Sequence, residues 1–220
     1  MADIKFDFSL YLVADLDCLA GRSLEDTVVR AVMGGVTAVQ LRMKTASTRE
    51  FIRQARLLKN TLADSGVPLL INDRVDVALA AGADGVHLGQ TDMSYDDGRK
   101  ILGPEAIIGI SVENPDQTAR ASSFDVSYIA ASPVFLTPTK TDTAPALGLD
   151  GLKKVKRLTN HRLVAIGGIN ETNAARVLKA GADGIAVVSA ICQASDPEEA
   201  ARRLRRIVES ASQLKGENQT

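Results

Sequence analysis

Eight short apolar runs recur along this chain, and many of them end in polar or glycine-rich residues. The runs are Leu10–Ala14, Val36–Leu41, Leu69–Ile71, Gly85–Leu88, Ala106–Ile110, Tyr128–Ala131, Leu163–Ile166 and Gly184–Val188. Runs this short, bounded by turn residues, read as strands buried on both faces. Parallel neighbours need a crossover connection, and each gap but the shortest is long enough for a helix. The order predicts an α/β chain, a single-domain (β/α)8 TIM barrel over residues 1–220 with its core at about 10–210. Such a barrel gathers its chemistry at the C-terminal ends of its strands, so the polar residues directly after each run are where a site is expected.

Helix punctuation supports the same period. Ser23, with Glu25 and Asp26 close behind, opens a capped helix ending at Gly34-Gly35. Residues 48–65 carry Phe51, Ile52, Ala55, Leu58 and Leu62 at helical spacing, and Gly66-Val67-Pro68 stops them. An internal echo adds weight: Ala81-Gly82-Ala83-Asp84-Gly85-Val86 returns as Ala180-Gly181-Ala182-Asp183-Gly184-Ile185. Each copy closes a helical pattern with a glycine suited to a left-handed cap and opens an apolar run. The copies begin the fourth and eighth strands, half a barrel apart, although the echo alone also suits a doubly wound sheet. Asp196-Pro197-Glu198-Glu199 starts a charged final helix to about Gln213, with Lys215 to Thr220 expected as a frayed end.

The 26 Lys and Arg residues against 27 Asp and Glu leave a formal net charge of -1 on 220 residues. That balance offers no overall field for nucleic acid or an anionic membrane, so any anion site must be local. Met1-Ala2-Asp3-Ile4-Lys5 is no basic segment leading into a long apolar stretch, and no run nears the roughly 20 residues of a membrane span. A cytoplasmic protein acting on small molecules is expected, with no nucleic-acid or membrane partner and a homo-oligomer left open. Cys18 and Cys192 stand far apart without metal-ligand spacing and read as packed thiols.

Gln40, Arg42 and Lys44 alternate at a strand end, so their side chains share one face while Leu41 and Met43 take the other. A guanidinium fork beside an ammonium suits phosphate or diphosphate; a solvated strand end is the plain alternative. Asn72-Asp73 and Asp92 follow adjacent strands. Two such carboxylates can share Mg²⁺, which completes its octahedron with water and phosphate oxygens, or they can serve as turn and cap residues. Ser111 can bond an anion or cap the next helix. Thr137-Pro138-Thr139-Lys140 lies in a long segment after the sixth strand, with two hydroxyls and an ammonium that suit phosphate, or as a surface turn. Gly167-Gly168 and Val188-Ser189 end the seventh and eighth strands, the barrel positions that bind phosphate through backbone N–H groups. The chain has two histidines, His87 and His161, neither in a nucleophile motif, and His87 reads as a hydrogen-bonded barrel residue.

In these stretches the chain resembles the thiamine-phosphate synthase family. The matching segments are Gln40-Leu41-Arg42-Met43-Lys44, Ile71-Asn72-Asp73-Arg74, Asp84 through Asp92, Gly109-Ile110-Ser111, Thr137 through Lys140, Ala165 through Ile169 and Val187-Val188-Ser189. The resemblance implies a (β/α)8 barrel and a transferase. Its reaction would join 4-amino-2-methyl-5-hydroxymethylpyrimidine diphosphate to 4-methyl-5-(2-phosphoethyl)thiazole, releasing diphosphate and forming thiamine phosphate. It further implies that Gln40-Leu41-Arg42-Met43-Lys44, Asn72, Ser111 and Lys140 bind the pyrimidine diphosphate, with Arg42, Lys44, Ser111 and Lys140 catalytic. Asp73 and Asp92 would bind Mg²⁺, and Thr137, Pro138, Thr139, Gly168, Val188 and Ser189 the thiazole phosphate.

Two positions depart from the family pattern. Met43 stands where glutamate is usual, on the face away from the basic trio. Glu113 replaces the histidine of a common Ser-x-His motif. A thiazole tautomerase of the same superfamily would rely on that histidine, so Glu113 argues against it. A Schiff-base aldolase using Lys140 would need a desolvated lysine, and a polar loop places it poorly. A non-catalytic phosphate-binding barrel is the remaining rival.

Overall fold

The computed structural model describes residues 6–19, 21–137 and 145–217. Its strands are β1 Leu10–Asp15, β2 Ala38–Arg42, β3 Leu69–Asn72, β4 Gly85–Leu88, β5 Ile107–Val112, β6 Tyr128–Ala131, β7 Leu163–Ile166 and β8 Gly184–Val187. Each pairs in parallel with the next, and β1 pairs with β8, so the sheet closes. Between them run α1 Leu24–Met33, α2 Thr48–Thr61, α3 Val75–Ala81, α4 Tyr95–Leu102, α5 Pro115–Ala121, α6 Gly148–Leu158, α7 Ala174–Lys179 and α8 Ser189–Cys192, followed by α9 Pro197–Glu217. The expected (β/α)8 barrel is the observed one. No helix among the described residues is long and apolar enough to cross a membrane.

Local chemistry sets the helix starts. The side chains of Ser23, Ser47, Ser94 and Asn114 accept hydrogen bonds from the N–H groups of Asp26, Glu50, Asp97 and Gln117, satisfying donors the first turn leaves open. Pro115 follows Asn114 at a position where a missing N–H does no harm. The shortest gap, between β3 and β4, does hold a helix, the seven-residue α3. α2 stops at Thr61, short of the expected residue 65, and Leu62 caps it. β2 begins two residues late because the Val36 N–H closes the end of α1 on Ala31 O.

Strand alternation divides the buried side chains into two cores. Phe8, Tyr11, Val13, Ala38, Leu70, Ile107, Tyr128, Ala130, Val164 and Ala186 fill the barrel, whereas Leu10, Leu12, Val39, Leu41, Ile71 and their like face the helices. The inner set is bulky at the floor and small toward the mouth, which leaves space at the C-terminal ends of the strands.

The echo lies at the opposite end. Asp84 accepts the N–H of Leu69 at 2.8 Å and Asp183 that of Leu163 at 2.9 Å, so each ties down the start of the preceding strand. Lys59 and Lys156 pair with these carboxylates at 2.6 and 2.7 Å. The glycines that follow admit backbone: a Cβ on Gly85 would lie 1.9 Å from Ile107 O, and one on Gly184 2.0 Å from Phe8 O. The repeat is therefore a device for closing the floor, a stability motif of the kind expected at the N-terminal face. Gly82, by contrast, meets nothing within 4 Å and is needed for its φ of 66° alone. Gly82→Ala is expected to lower the unfolding free energy by about 1 kcal/mol, and Gly184→Ala by about 3 kcal/mol through overpacking. Paired urea titrations measure both, and equal losses would contradict the account.

Candidate active site

A cavity of about 690 Å³ opens at the C-terminal ends of the strands. Gln40, Arg42, Lys44, Asn72, Asp73, Asp92, Ser111, Thr137, Gly168, Val188 and Ser189 all line it. Leu41 and Met43 do not: their side chains are buried in the outer core, on the face opposite the basic trio. Pro138, Thr139 and Lys140 lie outside the described residues.

The basic residues of β2 are already engaged. The Arg42 guanidinium donates to the Asp15 carboxylate, which is 1% exposed and also accepts the Asp17 N–H at 3.1 Å. Lys44 Nζ donates to Asp73 Oδ2 at 2.6 Å. Gln40 reaches inward, and its Nε2 donates to Tyr11 OH at 2.9 Å. Among the described lining residues, the two cations Arg42 and Lys44 face four carboxylates, Asp15, Asp73, Asp92 and Glu113.

Asp73 has a φ of 64°, the left-handed region that side-chain-bearing residues avoid, and its N–H donates to His87 O at 2.8 Å. Strain of this sort persists only where the surroundings impose it, and it clusters at functional positions. It sets the Asp73 carboxyl group beside that of Asp92, near enough for each to shift the other's ionisation. Asp92 also accepts the Gly89 N–H at 2.7 Å, and a Cβ on Gly89 would stand 2.8 Å from that same oxygen. Burial disfavours ionisation at both acids. The Lys44 ammonium and the Asp92 carboxyl group nevertheless hold Asp73 below its ordinary value, whereas burial and Asp73 push Asp92 above its own. Two carboxylates this close need a proton or a cation between them. Among the described residues no cluster of three or more His, Cys, Asp or Glu side chains gathers as a metal site, so this pair is what the mouth offers.

Ser111 stands inside β5, which runs on to Val112 beyond the expected end. Its Oγ lies 2.8 Å from His87 Nε2, and its carbonyl accepts from Gln90 Nε2 at 2.6 Å. Glu113 sits on the rim, where its N–H donates to Gln117 Oε1 at 2.7 Å. Gly167 and Gly168 have a packing reason of their own. A Cβ on Gly167 would meet Pro133 Cβ at 2.7 Å, and one on Gly168 would meet Leu136 O at 2.8 Å, because the segment after β6 lies across them. Val188 precedes the short α8 and faces the cavity with Ser189.

Asp15 is a charged lining residue outside the expected set, although it directly follows an apolar run, as Asn72 does. Tyr11 and Tyr128 were read as apolar strand positions and carry buried hydroxyls.

Residues 10–191 match the family model described as thiamine monophosphate synthase. The chain belongs to this family. A thiamine-phosphate synthase of Albidiferax ferrireducens is 57% identical over 201 residues, spanning 91% of this chain and 92% of its own. One from Syntrophomonas wolfei is 49% identical over 206 residues, 94% of this chain and 99% of its own. The solved thiamine phosphate pyrophosphorylase from Pyrococcus furiosus superposes with a TM-score of 0.86 at 38% identity, covering 95% of this chain and 99% of that one.

Within this family member the Arg42–Asp15 pair is a mostly buried contact, with side chains 16% and 2% exposed. Asp15→Ala leaves the guanidinium without its counter-charge and is expected to cost about 3 kcal/mol of stability. Urea unfolding followed by circular dichroism checks this, and a loss within error would show that water in the cavity replaces the carboxylate.

Proposed function

We propose that this chain is a thiamine-phosphate synthase, a transferase that joins 4-amino-2-methyl-5-hydroxymethylpyrimidine diphosphate to 4-methyl-5-(2-phosphoethyl)thiazole and releases diphosphate. The observation that carries the reading is the meeting of Arg42, Lys44, Asp73, Asp92 and Ser111 around one barrel mouth in a chain of this family. The whole chain, 1–220, acts in this reading as one barrel domain in the cytoplasm.

The Gln40-Leu41-Arg42-Met43-Lys44 segment, Asn72, Ser111 and Lys140 bind the pyrimidine diphosphate. The two cations are held by Asp15 and Asp73 until a more highly charged anion arrives, and Arg can then offer a bidentate fork. The thiazole phosphate is taken by Thr137, Gly168, Val188 and Ser189, which line the same cavity, together with Pro138 and Thr139. Asp73 and Asp92 would hold Mg²⁺: the donors are hard oxygens, and burial together with Asp73 pushes the Asp92 carboxyl up, a penalty that a bound cation would relieve. Bound there, it supplies charge neutralisation for the departing diphosphate. The excess of described carboxylates over described cations supports such a counter-charge beside a bound polyanion.

Cleavage of the pyrimidine CH2–O bond sends the electron pair to the diphosphate oxygen, and the thiazole nitrogen then bonds the methylene cation. No protein nucleophile is required. The chain's contribution is to hold the two reactants in register and to steady charge on the leaving group, which together account for several kcal/mol of barrier.

Purified protein given both substrates is expected to form thiamine phosphate with Mg²⁺ and to lose that activity in EDTA, read by conversion to the fluorescent thiochrome. Asp92→Ala should cut turnover by orders of magnitude while the protein stays folded, and Lys140→Ala should act on turnover rather than on thiazole-phosphate affinity. Near-normal rates in folded Asp92→Ala would remove the metal assignment.

A further inference from the structure

Side-chain hydrogen bonds in the barrel interior join into one line. Gln40 Nε2 donates to Tyr11 OH at 2.9 Å, and Tyr11 OH lies 3.0 Å from Tyr128 OH. Tyr128 OH lies 2.8 Å from His87 Nδ1, and His87 Nε2 lies 2.8 Å from Ser111 Oγ. The members come from β2, β1, β6, β4 and β5, so only the closed barrel assembles them.

Hydrogen counting gives the line a direction. Burial raises both phenols well above their ordinary value, so each keeps its single hydrogen. Tyr11 accepts from Gln40, and its own hydrogen goes to Tyr128; the opposite choice would leave a buried hydroxyl hydrogen unpaired. Tyr128, having accepted, gives its hydrogen to His87 Nδ1. An imidazole that accepts at Nδ1 carries its proton at Nε2, and it donates that proton to Ser111 Oγ. The remaining hydrogen of Ser111 is then turned to the cavity. Run in reverse, from a Gln40 carbonyl oxygen, the same atoms would draw the Ser111 hydrogen onto His87 and present serine lone pairs to an incoming anion.

We infer that this line is a one-way relay that locks His87 as its Nε2–H tautomer and so sets Ser111 as a hydrogen-bond donor toward the substrate anion. Tyr11, Tyr128 and His87 are positioning residues in it. Space is reserved for the central member: a Cβ on Gly109 would lie 2.1 Å from the Tyr128 ring, and the His87 and Tyr128 rings stack at 5.6 Å. The tautomer stands on geometry alone, whereas the role toward substrate rests on the synthase reading.

His87 and His161 are the only histidines, so NMR of nitrogen-labelled histidine in the full-length protein resolves both. The expected spectrum shows His87 unprotonated at Nδ1 and protonated at Nε2. Tyr128→Phe should shift the Nδ1 signal while His161 stays still. Tyr11→Phe removes the group that obliges Tyr128 to donate, so a mixture of tautomers is expected there, and this variant decides the matter if Tyr128→Phe does not fold. A wild-type His87 protonated at Nδ1 would overturn the direction, and spectra unchanged in the folded variants would overturn the relay.

A double-mutant cycle tests the link to catalysis. Tyr128→Phe should lower kcat/KM for the pyrimidine diphosphate on the order of tenfold, but less than about twofold once Ser111→Ala is present. Equal losses in both backgrounds would show that Tyr128 supports the fold and not the hydroxyl. The predicted tautomer in a protein that forms no thiamine phosphate would uphold the relay and overturn the synthase reading.

Discussion

Closing eight parallel strands leaves an interior that only alternate side chains can fill, and in this barrel the arrangement turns on how Tyr128 is seated. Its ring lies 4.7 Å from Phe8 and 5.8 Å edge-on to Tyr11, so three aromatic residues close the floor. Gly109, its register partner on β5, provides the room. Above this floor Ala130 and Ala186 present small side chains to the interior, and they line the cavity. The hydroxyl of the same tyrosine then contacts both Tyr11 and His87, so one residue sets the shape of the site and the path of its polar contacts.

Electrostatics at the mouth follow from adjacency between strands. Asp15 and Arg42 are register partners on β1 and β2, and their pairing holds the guanidinium in the cavity wall. Lys44 and Asp73 make the corresponding pair between the ends of β2 and β3. Each cation is thus held in place by a carboxylate from the neighbouring strand end.

Stability and chemistry occupy opposite ends of the strands. The two aspartates of the internal echo fasten strand starts, and their glycines admit neighbouring backbone, whereas the residues proposed to meet substrate stand at strand ends. Gly167 and Gly168 belong to both accounts, since they line the cavity and also let the segment after β6 lie across them.

Much of this was legible in the chain itself. Apolar runs of strand length, capped helices and the echo determined the barrel, because burial on both faces and crossover length are local properties of sequence. The strand-end rule pointed to Gln40, Arg42, Lys44, Asn72, Asp73, Asp92 and Ser111, which all line the cavity, and alternation assigns the shared face of the first three. It missed Asp15, whose meaning depends on Arg42 across the sheet, and it read Tyr11 and Tyr128 as apolar because pattern does not show where a hydroxyl goes. Only the tertiary structure decided the left-handed backbone at Asp73, the nearness of its carboxyl group to that of Asp92, and the line from Gln40 to Ser111. Those features depend on which atoms meet when distant strands close, and separations in sequence carry no record of that.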